Sequence, residues 1–339
     1  SIPIMISNLV QSTYNAVDML FVGRFTGTES LAAVSVCGPI LNVMIITLSG
    51  MSAGVLVVIS GLLGAGDIKQ AQDAAHTSVA LYALMAAVMT VLGLLFVPQI
   101  LRLVQTPAAA MPEAKRYLYT VFAGTVFTFG YNLIGALQRG LGNAAASMSF
   151  VIISSAANIA LDAVFIVWLG MGAFGAALGT VLSQVAAFVI GTVQFARGGA
   201  ALRLSARAVR FHKKHLKNIL LFGVPTALNE VMVNLAMLTV SGVANSFGLA
   251  SSAAYGVGSR INSLAIFTDG AMNQTMSAYA SQNIGAGRQK RALEGLWKAI
   301  ILSAGAALGT SLLVLGFASE FSACFDSDPA VIEQSAAFL

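Results

Sequence analysis

The sequence predicts an all-α polytopic membrane protein of two lobes related by a parallel internal repeat, the second lobe incomplete within these 339 residues. Three observations carry the prediction. Hydrophobic residues make up 57% of the chain and charged residues only 9%, against about 25% charged in an ordinary soluble domain. Apolar runs long enough to cross a bilayer recur along the whole length. A glycine-rich motif at residues 64–67 returns at 285–288, a shift of 221, and neighbouring positions keep the same register.

The apolar runs fall at about 1–23, 31–63, 74–97, 114–138, 148–169, 173–196, 218–246, 250–284 and 294–318, with a further one beginning near Pro329. Short turns such as Gly23-Arg24-Phe25-Thr26-Gly27 and Gly170-Met171-Gly172 divide them. The second and eighth runs exceed what a bilayer needs, so tilt, protrusion or a kink at Pro39 is expected. The chain opens at Ser1-Ile2-Pro3 inside an apolar run and closes as a helix of the second lobe begins, so a longer protein trimmed at both ends is expected.

Loop charge sets the orientation. Of 18 Lys and Arg residues, thirteen fall in one alternating set of loops: Lys69, Arg139, seven between Arg197 and Lys217, and four between Arg288 and Lys298. Arg24, Arg102, Lys115 and Arg116 flank the other set, and Arg260 falls within a span. The positive-inside rule then puts the first set and the N-terminus in the cytoplasm of a plasma membrane, here a bacterial inner membrane. The net charge of +5 lies in these loops, so no nucleic-acid partner is expected. Residues 197–217 are the most basic stretch. Anionic lipid could hold them, but a solvated linker is the stronger expectation.

In the repeat, Gly64-Ala65-Gly66-Asp67 aligns with Gly285-Ala286-Gly287-Arg288, Ala33 with Ala254, Ser60 with Ser281, and Tyr117-Leu118 with Phe338-Leu339. Pro3 pairs with Pro225 at a shift of 222. Both copies begin on the same side, which makes the repeats parallel, with an axis near the membrane normal. The expected organisation is an N-lobe of six transmembrane helices at 1–196, a basic cytoplasmic linker at 197–217 and a partial C-lobe at 218–339.

Against this apolar background, Asn158-Ile-Ala-Leu-Asp162 stands out. An ionised carboxylate at membrane depth costs roughly 2.5–3.5 kcal/mol on insertion scales, so a chain that keeps one there has a use for it. Asn158 and Asp162 share a helix face. Asp18 lies about five residues before the outer end of the first span, Asp162 about eight before Gly170, and Thr180 about eight after Gly172; at 1.5 Å per residue their depths agree. Gln11, Tyr14, Asn15 and Asp18 form one polar stripe on the first span. Oxygens from Tyr14, Asp18, Asn158, Asp162 and Thr180 can then converge between three helices. Such a set can hold a proton between carboxylates, or offer the hard oxygen ligands a small cation such as Na+ prefers, with Asp18, Asn158 and Asp162 as its ligands. In the second copy, Glu230 beside Asn229 and Asp269 with Asn273 are candidates for holding a cationic substrate between the lobes, with Gln282 on the same span as Asp269 and Gln11 and Asn15 of the first span facing the same cavity.

Other chemistries are disfavoured. Gly170-Met171-Gly172-Ala173-Phe174-Gly175 spells a dinucleotide fingerprint but joins two membrane spans, and no acid follows until Glu230. Gly50-Met51-Ser52-Ala53-Gly54 spells a nucleophile elbow but lies within a helix, where close packing through Gly50-x-x-x-Gly54 is the better reading. His76, His212 and His215 lack a carboxylate cluster for a metal site, and Cys37 and Cys324 fit no metal or redox spacing and read as inert buried thiols. Neither an enzyme nor a resident cofactor is expected.

The motifs resemble those of the multidrug and toxic compound extrusion (MATE) transporters. The resemblance rests on Asp18 with Phe21-Val22-Gly23-Arg24, on Gln138-Arg139-Gly140-Leu141-Gly142, on Asn158-x-x-x-Asp162, on Gly172-x-x-Gly175-Ala176-Ala177-x-x-Thr180 and on Gln282-Asn283-x-Gly285-Ala286. It implies twelve helices in two six-helix lobes around a central cavity, exporting amphipathic, cationic organic compounds by cation-coupled alternating access. It also implies an N-lobe cation site at Tyr14, Asp18, Asn158, Asp162 and Thr180 and, on a looser match, a role for Glu230. The expected partners are small organic molecules, H+ or Na+, and membrane lipids, with the protein a monomer. The alternative in the same superfamily is a flippase for lipid-linked saccharides, which calls for a more basic cavity; Arg260 is the one cation the sequence places within the membrane.

Overall fold

The computed structural model describes residues 2–198, 202–323, 333 and 335, with side chains at 15, 206, 249–253, 260–269 and 321–323 outside that description. Cys324, Pro329 and Phe338-Leu339 therefore lie outside the described residues, as do the side chains of Asn15, Arg260 and Asp269. Ten α-helices run in order through the described chain: α1 (Ile2–Phe25), α2 (Thr28–Gly64), α3 (Ile68–Leu103), α4 (Met111–Gly140), α5 (Ala144–Asp162), α6 (Gly172–Arg197), α7 (Lys213–Ser246), α8 (Leu249–Gly285), α9 (Gln289–Gly316) and α10 (Ala318–Ala323). A π-helical stretch, Ala163–Trp168, continues α5. All nine complete spans expected from hydropathy are helices, and no strand occurs among the described residues.

Seven helices are long and apolar enough to cross a membrane: α2, α3, α4, α5 with its π stretch, α6, α7 and α9. The first span is less apolar because Asn8, Gln11, Ser12, Asn15 and Asp18 interrupt it. At 24 residues α1 is still about 36 Å long, at 1.5 Å per residue. Its polar residues have a purpose, since Asn8, Gln11 and Tyr14 line the central cavity.

The helix ends show the repeat most directly. After α2, Gly66 N donates to Leu63 O and Asp67 N to Leu62 O; after α8, Gly287 N donates to Ile284 O and Arg288 N to Asn283 O. These four donor–acceptor pairs are the same two bonds displaced by 221 residues. The turns need a left-handed residue to close, and Gly66 (φ 74°) and Gly287 (φ 71°) supply it. The copies differ one residue later. Asp67 caps α3, accepting from Gln70 N at 3.0 Å and Gln70 Nε2 at 2.5 Å, and these bonds hold its carboxyl below the usual carboxylate range. Arg288 makes no such cap.

The lobes meet along α2, which packs antiparallel to α7 and then against the end of α8. The approach is backbone-close because one face of α2 is glycine. A Cβ on Gly50 would lie 2.5 Å from Ala227 Cβ, and one on Gly54 2.3 Å from Ile219 O. Gly50-x-x-x-Gly54 thus serves close packing, as expected. Further along, a Cβ on Gly64 would meet Gln282 O and one on Gly285 would meet Gly61 O, each at 2.0 Å. Positions 61 and 282 are repeat mates, as are 64 and 285, so the two contacts are one contact seen twice across a pseudo-twofold axis.

Within the first lobe, α1–α6 enclose two apolar cores. One is built on Val22, Cys37, Leu101, Leu118, Phe122 and Ile166, the other on Val55, Ile59, Tyr82, Phe129, Leu137 and Phe150. Cys37 is buried, as expected, with Sγ 3.8 Å from Ala114 O.

The basic linker departs from expectation. Leu202 is 2% exposed and belongs to the second of these cores. Arg203 N donates to Gln72 Oε1 at 2.7 Å, Gln72 Nε2 bonds Arg203 O, and His212 N donates to Thr77 Oγ1 at 3.2 Å. The strap 202–212 is therefore docked on α3, while Arg203, Arg207 and Arg210 stay exposed. Composition shows those cations and misses the backbone docking, because the partners are more than 120 residues away.

Because the α2 glycines touch backbone rather than yielding side chains, Gly54→Ala should cost about 1–3 kcal/mol by overpacking. We expect a lowered Tm by scanning fluorimetry of the purified protein. Gly305→Ala, with open space around it, should leave Tm unchanged or raise it. Equal behaviour of the two variants would refute the packing argument.

Candidate functional site

Where α1 crosses α5, polar side chains converge without satisfying one another. Asn158 is 1% exposed and Asp162 0%. Both carboxylate oxygens of Asp162, both amide atoms of Asn158 and Oδ1 of Asp18 are buried with no hydrogen-bond partner. Asp18 and Asp162 lie close enough for their charges to interact, and Tyr14 lies within the field of both. Most buried polar groups are hydrogen-bonded, so a cluster of partnerless atoms is informative.

The local sequence explains how the cluster forms. Asn143 caps α5, accepting from Ala146 N at 3.1 Å, which sets the helix phase so that Ser147, Ser155, Asn158 and Asp162 share a buried stripe. After Asp162 the helix widens to a π stretch, with Leu169 N bonded to Val164 O and Met171 N to Phe165 O. π-turns within α-helices occur frequently at functional sites. On α6, Gly179 makes room for the carboxylate: a Cβ there would lie 2.3 Å from Asp162 Oδ1.

The expected five residues divide accordingly. Tyr14, Asp18, Asn158 and Asp162 gather on α1 and α5. Thr180 follows Gly179 on α6 and is half-buried, but its hydroxyl makes no bond to Asp162, whose oxygens are both free. Sequence reasoning missed Gly179, whose value lies in the missing Cβ, and Tyr117 of α4, 7% exposed and within the field of both carboxylates.

Next to the cluster lies a cavity of about 540 Å3, lined from α1 by Gln11 and Tyr14, from α5 by Ser155 and Asn158, from α7 by Asn229 and Glu230 and from α8 by Asn273 and Gln274. Glu230 Oε1 accepts from Ser49 Oγ of α2 at 2.7 Å. Gln11 and Glu230 both line this cavity. Gln282 does not: its side chain is exposed and its backbone packs against Gly64 at the lobe contact, because residue 282 lies at the very end of α8. Arg139, counted from sequence among the loop cations, lines the cavity instead.

This is a polytopic helical membrane architecture with an internal cavity between repeat-related lobes. The MatE family model matches residues 3–164 and 225–339, and the chain belongs to that family. It is 29% identical over 291 residues to the probable multidrug resistance protein YpnP of Bacillus subtilis, covering 86% of this chain and 65% of that protein. It is 30% identical over 309 residues to the probable multidrug resistance protein YoeA of the same species, covering 87% and 66%. The chain thus spans slightly less than two thirds of these relatives. Among solved structures, a MOP superfamily transporter from Pyrococcus furiosus superposes with a TM-score of 0.90 at 26% identity, covering 99% of this chain and 75% of that one. A multidrug resistance MATE family transporter in an outward-facing conformation gives 0.89 at the same identity and coverage.

An unpartnered buried charge is a stability cost that its removal relieves. Asp162→Asn should therefore raise Tm at alkaline pH in sodium-free buffer, by an amount corresponding to about 1–3 kcal/mol. It should also abolish any Tm increase that added Na+ produces in the parent. A Tm lowered by the substitution would contradict the assignment of a partnerless carboxylate.

Proposed function

We propose that the protein is a cation-coupled antiporter that exports amphipathic organic compounds by alternating access. The observation that carries the reading is the group of partnerless oxygens of Asp18, Asn158 and Asp162, sealed between α1 and α5 beside a drug-sized cavity. A proton or a sodium ion is the partner those atoms lack, and the donor set suits either: two carboxylates, an amide and the nearby Tyr14 phenol, with Thr180 one residue from the glycine that admits Asp162. Binding there would favour whichever packing of α1 on α5 closes around the cation. A conformational bias requires different cation affinities in the two states, and two carboxylates that approach one another only in one packing provide that difference.

In the cavity, Gln11 and Asn229 offer amide groups and Glu230 a carboxylate fixed by Ser49, which supports a nitrogen-containing substrate that sheds its water on entry. The relatives' names as multidrug resistance proteins support the same substrate class. In this reading the protein works as a monomer in the bacterial plasma membrane, with its N-terminus cytoplasmic.

The test is ethidium efflux from proteoliposomes holding the full-length protein, driven separately by a proton gradient and by a sodium gradient. One gradient should drive efflux, and Asp162→Asn should reduce it by roughly 5–150-fold, the span of a 1–3 kcal/mol coupling energy. Undiminished coupled efflux from well-expressed Asp162→Asn would refute the cation site. Absence of efflux under either gradient would turn the reading toward a lipid-linked saccharide flippase.

A further inference from the structure

The export reading leaves Arg139 unused. It sits in the last turn of α4, where a cation usually serves the helix dipole by turning toward the terminal carbonyls. Its side chain goes the other way. Nη1 lies 3.1 Å from where a Cβ of Gly135 would be, so the guanidinium folds back one turn over a glycine and enters the cavity. There Nη1 donates to Ser147 Oγ at 3.1 Å, while Nε is buried with no partner. Among the described residues no carboxylate lies within 4.0 Å of it. Two helical turns along α5 from Ser147, the Ser155 hydroxyl, 3% exposed, is likewise partnerless and lines the same cavity.

A guanidinium held partly out of water without a counter-ion is costly, and its planar fork can bind a carboxylate through two parallel hydrogen bonds. The cavity also holds an acid on the other lobe, Glu230. The two charges stand on different walls of one chamber of about 540 Å3 rather than in contact with each other. A molecule that satisfies both carries opposite charges at its two ends.

We propose that Arg139, with Ser147, forms a subsite for the carboxylate of a zwitterionic amphiphile whose cationic nitrogen faces Glu230. The proposal rests on the export reading and narrows its substrate class. Gly135 borders the subsite: a Cβ there would lie 3.1 Å from Nη1, so a branched side chain would push the guanidinium aside.

Rhodamine 110, which has a free carboxylate, and rhodamine 123, its methyl ester, isolate the acid group. Binding of each to the detergent-purified full-length protein is read by fluorescence polarisation. Arg139→Gln should weaken rhodamine 110 by about tenfold or more, the scale of a lost charge-assisted pair, and leave rhodamine 123 within about twofold. Equal losses for both dyes, or none for the acid, overturn the proposal. Should Arg139→Gln fail to fold, Gly135→Val decides: it keeps the charge and displaces the guanidinium, so it should lower the acid-to-ester affinity ratio, and an unchanged ratio overturns the subsite. Unchanged ratios with intact ethidium efflux defeat the subsite alone. Failure of either dye to bind the parent, together with no efflux, defeats the export reading with it.

Discussion

The contact of α2 with α8 is the constraint from which the rest of the architecture follows. Gly61 and Gly64 on one helix meet Gly285 and the Gln282 backbone on the other, at separations that leave no space for a single methyl group. Backbones that close cannot slide without steric collision, so the repeat-related helices are pinned at one end of the molecule. The pinning sets the antiparallel course of α7 along α2, and with it the placement of Glu230 against Ser49. The cavity is the space left where the lobes diverge from that closed end. In a bilayer, where apolar surface gains little by meeting apolar surface, small residues and close approach are the available means of holding helices together.

The polar groups inside this scaffold are handled in two ways. Gln72, Thr77 and His76, at the start of α3, are bonded to the strap and stabilise it. Asp18, Asn158, Asp162 and Arg139 keep buried atoms without partners. Structures tolerate such costs where function uses them, and here most of them gather around one cavity and its adjoining cluster, with Thr90, Thr192 and His215 lying elsewhere.

How far the sequence could be read depended on the range of the interaction. Helix positions, the repeat and the Gly50-x-x-x-Gly54 face follow from local periodicity and composition. Tyr14, Asp18, Asn158 and Asp162 were legible because rise per residue converts position into depth. Arg139 was not, because its position at a helix end resembles a loop position and only the glycine four residues earlier signals that the side chain folds back. Gln282 was misplaced for the complementary reason: a polar residue at a helix terminus has water within reach without any cavity. The π stretch after Asp162 leaves no pattern in hydropathy, since it arises from how α5 meets α1 and α6.

The docked strap alters how the two halves of the repeat are divided. Residues 202–212 lie between the two copies of the repeat, yet they are bonded along α3 rather than strung loosely between the lobes. Those residues are sewn into the first body through Leu202 and Gln72, so α7 departs from a fixed abutment on α3. Any displacement of the second lobe relative to α3 has then to be taken up after His212, whose backbone is bonded to Thr77, and not along the strap.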